Sequence, residues 1–120
     1  MNLIVVGLGG ILGSAARYAL GKHISRHNRT AFPWATFVIN ILGALLLGAV
    51  SAIHSDMVYL AAGDGFLGAF TTFSTLMYEG FSLFTNNRYL NAFIYILTTM
   101  VLGVAGYGAG YICMTSLFLK

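Results

Sequence analysis

The chain has 120 residues, of which 58% are apolar and 8% are charged, and its formal net charge is +3. Soluble domains carry roughly 25% charged residues, so this composition excludes an ordinary water-soluble protein, and the single cysteine, Cys113, excludes a disulfide framework or a cysteine-built metal site. The six basic residues are scattered around apolar stretches and form no stripe, so they indicate membrane topology rather than nucleic acid as a partner.

Four apolar stretches predict four transmembrane helices, and hence an all-α membrane protein with one domain over residues 1–120. Each stretch reaches the roughly 20 residues that a helix needs to cross about 30 Å of hydrocarbon. Three further spans follow the first, which argues against a cleaved signal peptide. With four spans, both termini are expected on the same side of the membrane. The predicted spans are Leu3–Leu20, Trp34–Ile53, Val58–Phe84 and Leu90–Leu117.

The first span and the connection after it carry small, basic and histidine residues. Gly9 and Gly13 are four positions apart, a spacing that lets two membrane helices approach closely. Arg17 lies near the end of the span, where it could draw anions towards a pathway or anchor the helix at the interface. In the basic connection, His23 and His27 could share a metal if the segment is helical, although an interfacial role is commoner. The small-residue spacing recurs at Ala44–Gly48 and Gly106–Gly110.

The second span contains Thr36 and Asn40, which are four residues apart and therefore share one face of a helix. An asparagine in hydrocarbon is costly unless its amide is hydrogen-bonded, and that amide offers two N–H donors. Asn40 either holds two helices together, as polar residues in membranes often do, or offers its donors to a ligand.

The third span contains glycines and four hydroxyl residues between Gly65 and Thr75. Glycine and threonine are mediocre helix formers, so the cluster predicts a break near Gly68–Thr72, in the middle of the membrane. A break frees backbone carbonyls, which membrane interiors tolerate only where protein, water or an ion satisfies them. The alternative is a continuous helix whose hydroxyls bond back to their own carbonyls.

Neutral hydrogen-bond donors dominate the polar residues inside the spans. Asn40 offers N–H groups, and Ser74 and Thr75 offer O–H groups. Phe73 offers the positively polarised edge of its ring. These donors suit a small, hard anion that must replace its hydration shell without being trapped by a fixed charge. The sequence has no nucleophile elbow, phosphate loop or carboxylate pair, so we expect no enzymatic activity.

These motifs resemble those of the Fluc (CrcB) family of fluoride channels, and the resemblance covers nearly the whole chain. The length and the number of spans also fit this family. The motifs together are specific, whereas any one of them alone is weak. The matching segments are Gly9–Gly13 with Arg17 in the first span, Ala35–Asn40 in the second, and Gly68–Thr75 followed by Glu79 in the third.

The resemblance implies an antiparallel, dual-topology dimer in the cell membrane of a prokaryote, with two fluoride pathways. It also implies a structural sodium ion at the dimer interface, bound by backbone carbonyls at the breaks of the two third helices. Residue by residue, these carbonyls would belong to Gly68 and Thr71. The fluoride pathway would comprise Asn40, Phe73, Ser74 and Thr75, with Thr36 on the Asn40 face, Arg17 towards the vestibule and Glu79 beyond the phenylalanine.

The sequence departs from the family pattern at several positions. The family usually has a second phenylalanine three residues after the first, and this chain has Leu76 there, which lacks a polarised ring edge. Ala35 and Ala69 replace glycines that are common in the family. Asp64 lies inside the third span and has no counterpart to carry over. An antiparallel dimer would bring Arg17 of the partner subunit to its side of the membrane.

The leading interpretation is a passive fluoride channel that exports the toxic anion. One alternative is a small proton-coupled transporter of the four-helix multidrug type, which needs a buried titratable carboxylate; Asp64 is the only candidate within a span. Another is a structural subunit without a pathway of its own in a heterodimeric channel, an alternative that Leu76 keeps open. The hydroxyl cluster together with Asn40 favours the channel.

The basic residues are unevenly distributed between the two sides of the predicted topology. Lys22, Arg26, Arg29 and Arg88 fall on one side, and only Lys120 falls on the other. Lysine and arginine bias sets orientation, so the first connection is expected in the cytoplasm and both termini outside. The partner in the dimer would therefore be either an identical chain that tolerates this bias or a homologous second subunit.

Overall fold

The computed structural model describes residues 2–118, which are helical for most of their length and include no strand. The prediction of an all-α protein is thus confirmed for these residues. Lys120, which entered the charge comparison, lies outside them. The elements are α1 (Asn2–His27), α2 (Trp34–Ser51), α3 (Asp56–Val58), a π-helical segment π1 (Tyr59–Leu67), α4 (Gly68–Phe70), α5 (Phe73–Thr85) and α6 (Tyr89–Phe118).

Three helices, α1, α2 and α6, are each long and apolar enough to cross a membrane. The predicted third span is built differently, from the successive short elements α3, π1, α4 and α5. A π-helix is a wide, poorly propagating geometry that occurs mostly in short, functional pieces. The third span is therefore the irregular one of the four, and it is the span that carries the glycine and hydroxyl cluster.

Helix α1 continues beyond the predicted end of the first span. The sequence predicts a connection over residues 21–33, whereas the helix ends only at His27. The apolar run ends at Leu20, but no proline interrupts the helix there, because the first proline is Pro33. Arg26 and His27 occupy the last turn, where basic side chains interact favourably with the negative end of the helix dipole. The last seven residues of α1 thus form a polar extension of the span.

Helices α2 and α6 pack against each other through glycines. A Cβ atom at Gly48 would collide with the carbonyl oxygen of Tyr107, and one at Gly110 would collide with the carbonyl oxygen of Leu45. The backbones therefore approach as closely as glycine alone allows. This confirms that small residues at this spacing form packing faces.

Glycines also bring π1 against α1. A Cβ atom at Gly13 would collide with the carbonyl oxygen of Phe66, and one at Gly9 would lie 2.5 Å from the carbonyl oxygen of Ala61. The Gly9–Gly13 pair thus has the packing role that its spacing predicts. This contact holds the irregular third span beside the helix that carries Arg17.

Buried side chains form two clusters, one on each side of the junction between α4 and α5. The first contains Ile39, Leu67 and Phe70. Many other large apolar side chains are exposed on the outer faces of the helices. Such a surface suits lipid, in which apolar side chains need no burial against protein. The second cluster consists of Leu76, Leu83, Ala92 and Tyr95.

Candidate functional site

The helical path of the third span is interrupted at two residues. Helix α4 ends at Phe70 and α5 begins at Phe73. Between them, Thr71 (φ −80°, ψ 162°) and Thr72 (φ −151°, ψ 116°) have extended backbones. Gly68, where we expected the break to begin, is helical. The non-helical stretch is therefore shorter than the predicted range and consists of the two threonines.

Asn40 binds this stretch from the neighbouring helix α2. Its Nδ2 donates to the carbonyl of Thr72 at 2.9 Å, and the N–H of Thr72 donates to its Oδ1 at 2.8 Å. In a continuous α-helix that N–H would bind the carbonyl of Gly68. Asn40 thus replaces a helical hydrogen bond, and one of its two side-chain N–H groups is already used.

Arg17 binds the other residue of the stretch. Its Nη1 donates to the carbonyl oxygen of Thr71 at 3.3 Å. The N–H and the hydroxyl of Thr71 both donate to the carbonyl of Leu67, each at 3.0 Å. The guanidinium is partly buried beside the interruption. Arg17 therefore contacts the backbone of the third span, and this contact adds to the roles that the sequence suggested for it.

The hydroxyl groups that follow begin helix α5. The Thr72 hydroxyl caps the helix by accepting the N–H of Thr75 at 3.3 Å, and it lies 2.9 Å from the Thr75 hydroxyl. The Ser74 hydroxyl is exposed and lies 3.4 Å from that of Thr72. The Phe73 ring is 68% exposed. The ring and the three hydroxyl groups therefore lie close together at the first turn of α5.

An open groove of about 620 Å³ runs along the interruption. It brings Asn40, Gly68, Thr71 and Phe73 together, as the pathway and sodium assignments require. It does not include Arg17, Thr36, Ser74, Thr75 or Glu79. The groove is also lined by Thr72, Asp64 and Leu76, together with apolar residues of α2 and α6.

Glu79 and Thr36 lie apart from this groove. The Glu79 carboxylate accepts a hydrogen bond of 2.7 Å from the hydroxyl of Tyr95, a side chain that is fully buried. Thr36 is buried as well, with 4% of its surface exposed. Glu79 also lines a second cavity, of about 300 Å³, which the first connection and α5 share.

Tyr95 is a polar residue that the sequence analysis did not single out. It lies in the middle of the core formed by α5 and α6. A tyrosine well inside a predicted span was the available signal, because membrane tyrosines usually lie near the interface and a buried hydroxyl needs a partner. The signal was weak because α6 contains three other tyrosines.

Leu76 is buried in the apolar core, at the edge of the groove. Only 4% of its surface is exposed, and it packs with Leu83, Ala92 and Tyr95. This is the position at which the Fluc (CrcB) pattern has a second phenylalanine. Here it holds a leucine that packs against apolar neighbours.

Known proteins are similar in sequence to this chain over most of its length. The family described as "CrcB-like protein, Camphor Resistance (CrcB)" matches residues 4–111. The chain is similar to the fluoride-specific ion channel FluC 2 of Clostridium acetobutylicum, with 48% identity over 92% of this chain and 95% of that protein. It is similar to FluC 1 of Ligilactobacillus salivarius, with 45% identity over 85% of this chain and 90% of that protein.

A third relative extends the same pattern to another group of bacteria. The fluoride-specific ion channel FluC of Phocaeicola vulgatus is 41% identical over 88% of this chain and 91% of that protein. The family model and the three relatives each cover most of the chain. The chain therefore belongs to the CrcB family of membrane proteins.

Proposed function

We propose that the chain is a subunit of a fluoride-specific ion channel that lets fluoride leave a bacterial cell across the plasma membrane. The relatives that bear this name match almost the full length of the chain, and this observation carries the proposal. A passive channel needs no nucleophile or redox centre, and the proposed role is not that of an enzyme. Fluoride and membrane lipid are its expected partners.

The chemistry at the interruption supports an anion pathway. The second N–H of Asn40 on α2, and the ring edge of Phe73 and the hydroxyl of Ser74 at the start of α5, are neutral donors. Fluoride accepts stronger hydrogen bonds than chloride, so such donors favour fluoride. Because these donors are neutral, they would also release the ion again, as conduction requires. Thr75 would contribute its hydroxyl from the next position.

Glu79 and Thr36 would belong to the same route nearer the first connection. The Glu79 carboxylate is bound to the Tyr95 hydroxyl and faces the cavity beside the first connection. A carboxylate does not bind an anion directly, so we assign Glu79 a role in holding hydroxyl donors in place. Arg17 would attract anions towards the interruption from its position at the Thr71 carbonyl.

The groove along the interruption supports a dimer. It exposes Asp64 and the two extended threonines, and lipid cannot satisfy such groups. A second chain, identical or homologous, would cover them. We propose an antiparallel arrangement, with the interruption near the middle of the membrane. In such a dimer, Asp64 is expected to face water or Arg17 of the partner subunit.

The carbonyls of Gly68 and Thr71 are the proposed ligands of a structural sodium ion between the two chains. Gly68 fits this role because Asn40 has taken the N–H that would otherwise bind its carbonyl. The Thr71 carbonyl already accepts from Arg17, but a carbonyl oxygen has a second lone pair. Oxygen ligands of this kind suit a hard cation. The ion would neutralise the carbonyl dipoles that meet at the interface.

The test is fluoride efflux from liposomes that contain only this chain. We expect fluoride to leave passively, without a proton gradient, while chloride is retained. Efflux that depends on an imposed pH gradient would instead support the proton-coupled transporter with Asp64 as its carboxylate. Absence of efflux from the chain alone, with efflux restored by a homologous second chain, would support a structural subunit in a heterodimer.

A further inference from the structure

Two histidines stand one helical turn apart on the exposed polar end of α1. Because the helix continues to His27, His23 and His27 point to the same side. Their ring centroids are 4.8 Å apart and their planes are inclined by 50°. Both side chains are exposed, and neither lines the groove at the interruption. The pair is therefore separate from the proposed ion pathway.

The ring of His27 is oriented by the backbone. Its Nδ1 lies 2.8 Å from the carbonyl oxygen of His23. With the proton on Nδ1, this contact is a hydrogen bond, and Nε2 keeps its lone pair free. Metal-ligating histidines show this same arrangement, in which the second ring nitrogen donates to a carbonyl and fixes the tautomer. His27 thus presents one nitrogen as a ligand beside the ring of His23.

We propose that His23 and His27 bind a divalent transition-metal ion at the end of α1. Histidines at this spacing on one helix face can chelate a single ion. Imidazole nitrogens select Cu²⁺, Ni²⁺ and Zn²⁺, whereas Mg²⁺, Ca²⁺ and Na⁺ prefer oxygen. Among residues 2–118 no group of three or more histidine, cysteine or acidic side chains forms a metal cluster. Water therefore completes the coordination, and the ion exchanges readily.

The charges around the pair limit its affinity. Lys22 and Arg26 are neighbours in the same helix, and their positive charges oppose a dication. The Lys22 ammonium, however, is turned towards the ring of Tyr18, 5.7 Å from its centroid. Nearby Asn28 uses its side chain for Phe32 and Thr30, so it offers no third ligand. The order of affinity then follows the intrinsic preference of imidazole, with Cu²⁺ bound most tightly.

The chain carries a built-in reporter of this site. Trp34 lines the same open cleft, of about 540 Å³, as His23 and His27. It is the only tryptophan in the sequence, so its fluorescence reports on this cleft alone. Cu²⁺ and Ni²⁺ have partly filled d shells and quench indole fluorescence at short range, whereas Zn²⁺ has a filled shell and does not.

The experiment is a titration of the full-length protein in detergent micelles with Cu²⁺ or Ni²⁺ while Trp34 fluorescence is recorded. We expect saturable quenching that EDTA reverses and that excess Zn²⁺ relieves by competition. The variants His23→Ala and His27→Ala should each weaken binding by at least about tenfold, because each leaves a single imidazole without the chelate. Binding should also weaken in acid, since protons compete for the ring nitrogens.

The third histidine provides the matched control. His54 lies in the connection between α2 and α3, away from the cleft, so His54→Ala should leave the titration unchanged. Both mutated histidines are exposed, and circular dichroism with fluoride efflux verifies that each variant remains folded. Equal quenching in the double variant His23→Ala/His27→Ala and in the unmodified chain would overturn the proposal. So would a loss of quenching in His54→Ala alone.

Discussion

The side-chain amide of Asn40 pairs with the peptide group of Thr72 through two hydrogen bonds, at 2.9 and 2.8 Å, across 32 positions of sequence. An asparagine side chain has the same donor and acceptor pattern as a peptide group. It therefore replaces the helical partner that the N–H of Thr72 loses where the third span is interrupted, and it adds a donor to the Thr72 carbonyl at the N-cap of α5. Asn40 both stabilises the interruption and leaves one N–H for a ligand.

Substitution of Asn40 by alanine should affect fluoride efflux and stability together. The change removes the free N–H and leaves the N–H of Thr72 without its partner in a partly buried site, which costs about 1–3 kcal/mol. We expect efflux from liposomes to slow greatly and the unfolding temperature in detergent to fall. Asn40→Asp keeps the acceptor for Thr72 but loses both donors, and it should also slow efflux. Unchanged efflux in Asn40→Ala would reduce the residue to a structural contact.

The pairing also shows where prediction from sequence stops. The three long helices α1, α2 and α6 follow from the lengths of the apolar runs, and the packing contacts of Gly48 and Gly110 follow from the small-residue spacing in their helices. The partner of Asn40 does not, because the hydrogen bond joins residues that are distant in sequence. The sequence leaves open whether Asn40 is a helix contact or a ligand donor; the structure shows the contact, and one N–H of the amide is not used by it.

The end of α1 shows a second limit of the same kind. Apolar content locates the membrane-embedded part of a helix, but it does not locate the helix end in water. The run ended at Leu20, while backbone hydrogen bonding continues to His27. Similarly, the burial of Tyr95 depends on how α5 and α6 pack, and hydrophobic periodicity along α6 does not contain that information.

The close contact of α2 with α6 predicts that alanine substitution will lower stability strongly at one glycine of α6 and hardly at all at another. In Gly110→Ala the new methyl group would collide with the Leu45 carbonyl, so the helices must separate. Overpacking of this kind costs about 1–3 kcal/mol. Gly108 has no atom within 4 Å of its Cβ position, and Gly108→Ala should leave stability nearly unchanged. Thermal unfolding in detergent measures both variants, and equal losses would contradict the packing role of Gly110.

Leu76→Phe tests whether this position can regain the aromatic ring of the family pattern. The site is buried in an apolar cluster with Tyr95, and a larger ring must displace its neighbours. We expect a loss of about 1–3 kcal/mol in the free energy of unfolding and no gain in fluoride efflux from the chain alone. Leu76→Met, of similar volume, is the control and should cost less. Faster efflux in Leu76→Phe would show that the position lines the pathway.

The hydrogen bond from Tyr95 to Glu79 predicts that removal of the tyrosine hydroxyl will lower the stability of the protein. Tyr95→Phe leaves the carboxylate without its donor, and hydrogen bonds to charged groups contribute about 1.5–3 kcal/mol. The free energy of unfolding, measured with a chemical denaturant, should fall by about this amount. Glu79→Gln retains an acceptor for the hydroxyl and should be milder. The control is Tyr107→Phe, whose side chain is exposed and should tolerate the change. Equal effects of Tyr95→Phe and Tyr107→Phe would contradict the importance of the bond.

The arrangement of the helix ends supports an uneven distribution of charge across the membrane. One cavity is lined by the first connection, including Asn28 and Thr30, together with Ser82 of α5. Another is lined by His54 of the second connection together with the end of α6. Arg88 lies in the connection between α5 and α6 and directly precedes α6, so it lies at the same end of the molecule as the basic first connection. The four basic residues counted on one side of the sequence topology therefore belong to one end of the fold.

This asymmetry predicts that the chain inserts mainly in one orientation, with the first connection in the cytoplasm. An antiparallel channel would then require a homologous second chain of opposite bias, and the buried Leu76 is consistent with one incomplete pathway that such a chain could compensate. Tags at both termini, probed from outside in cells that express only this chain, should be accessible in most molecules. The double variant Arg26→Ala/Arg29→Ala has fewer positive charges to hold the first connection in the cytoplasm. It should therefore increase the fraction of molecules that insert in the opposite orientation. A roughly equal split of orientations in the unmodified chain would instead establish that identical chains can form the antiparallel dimer.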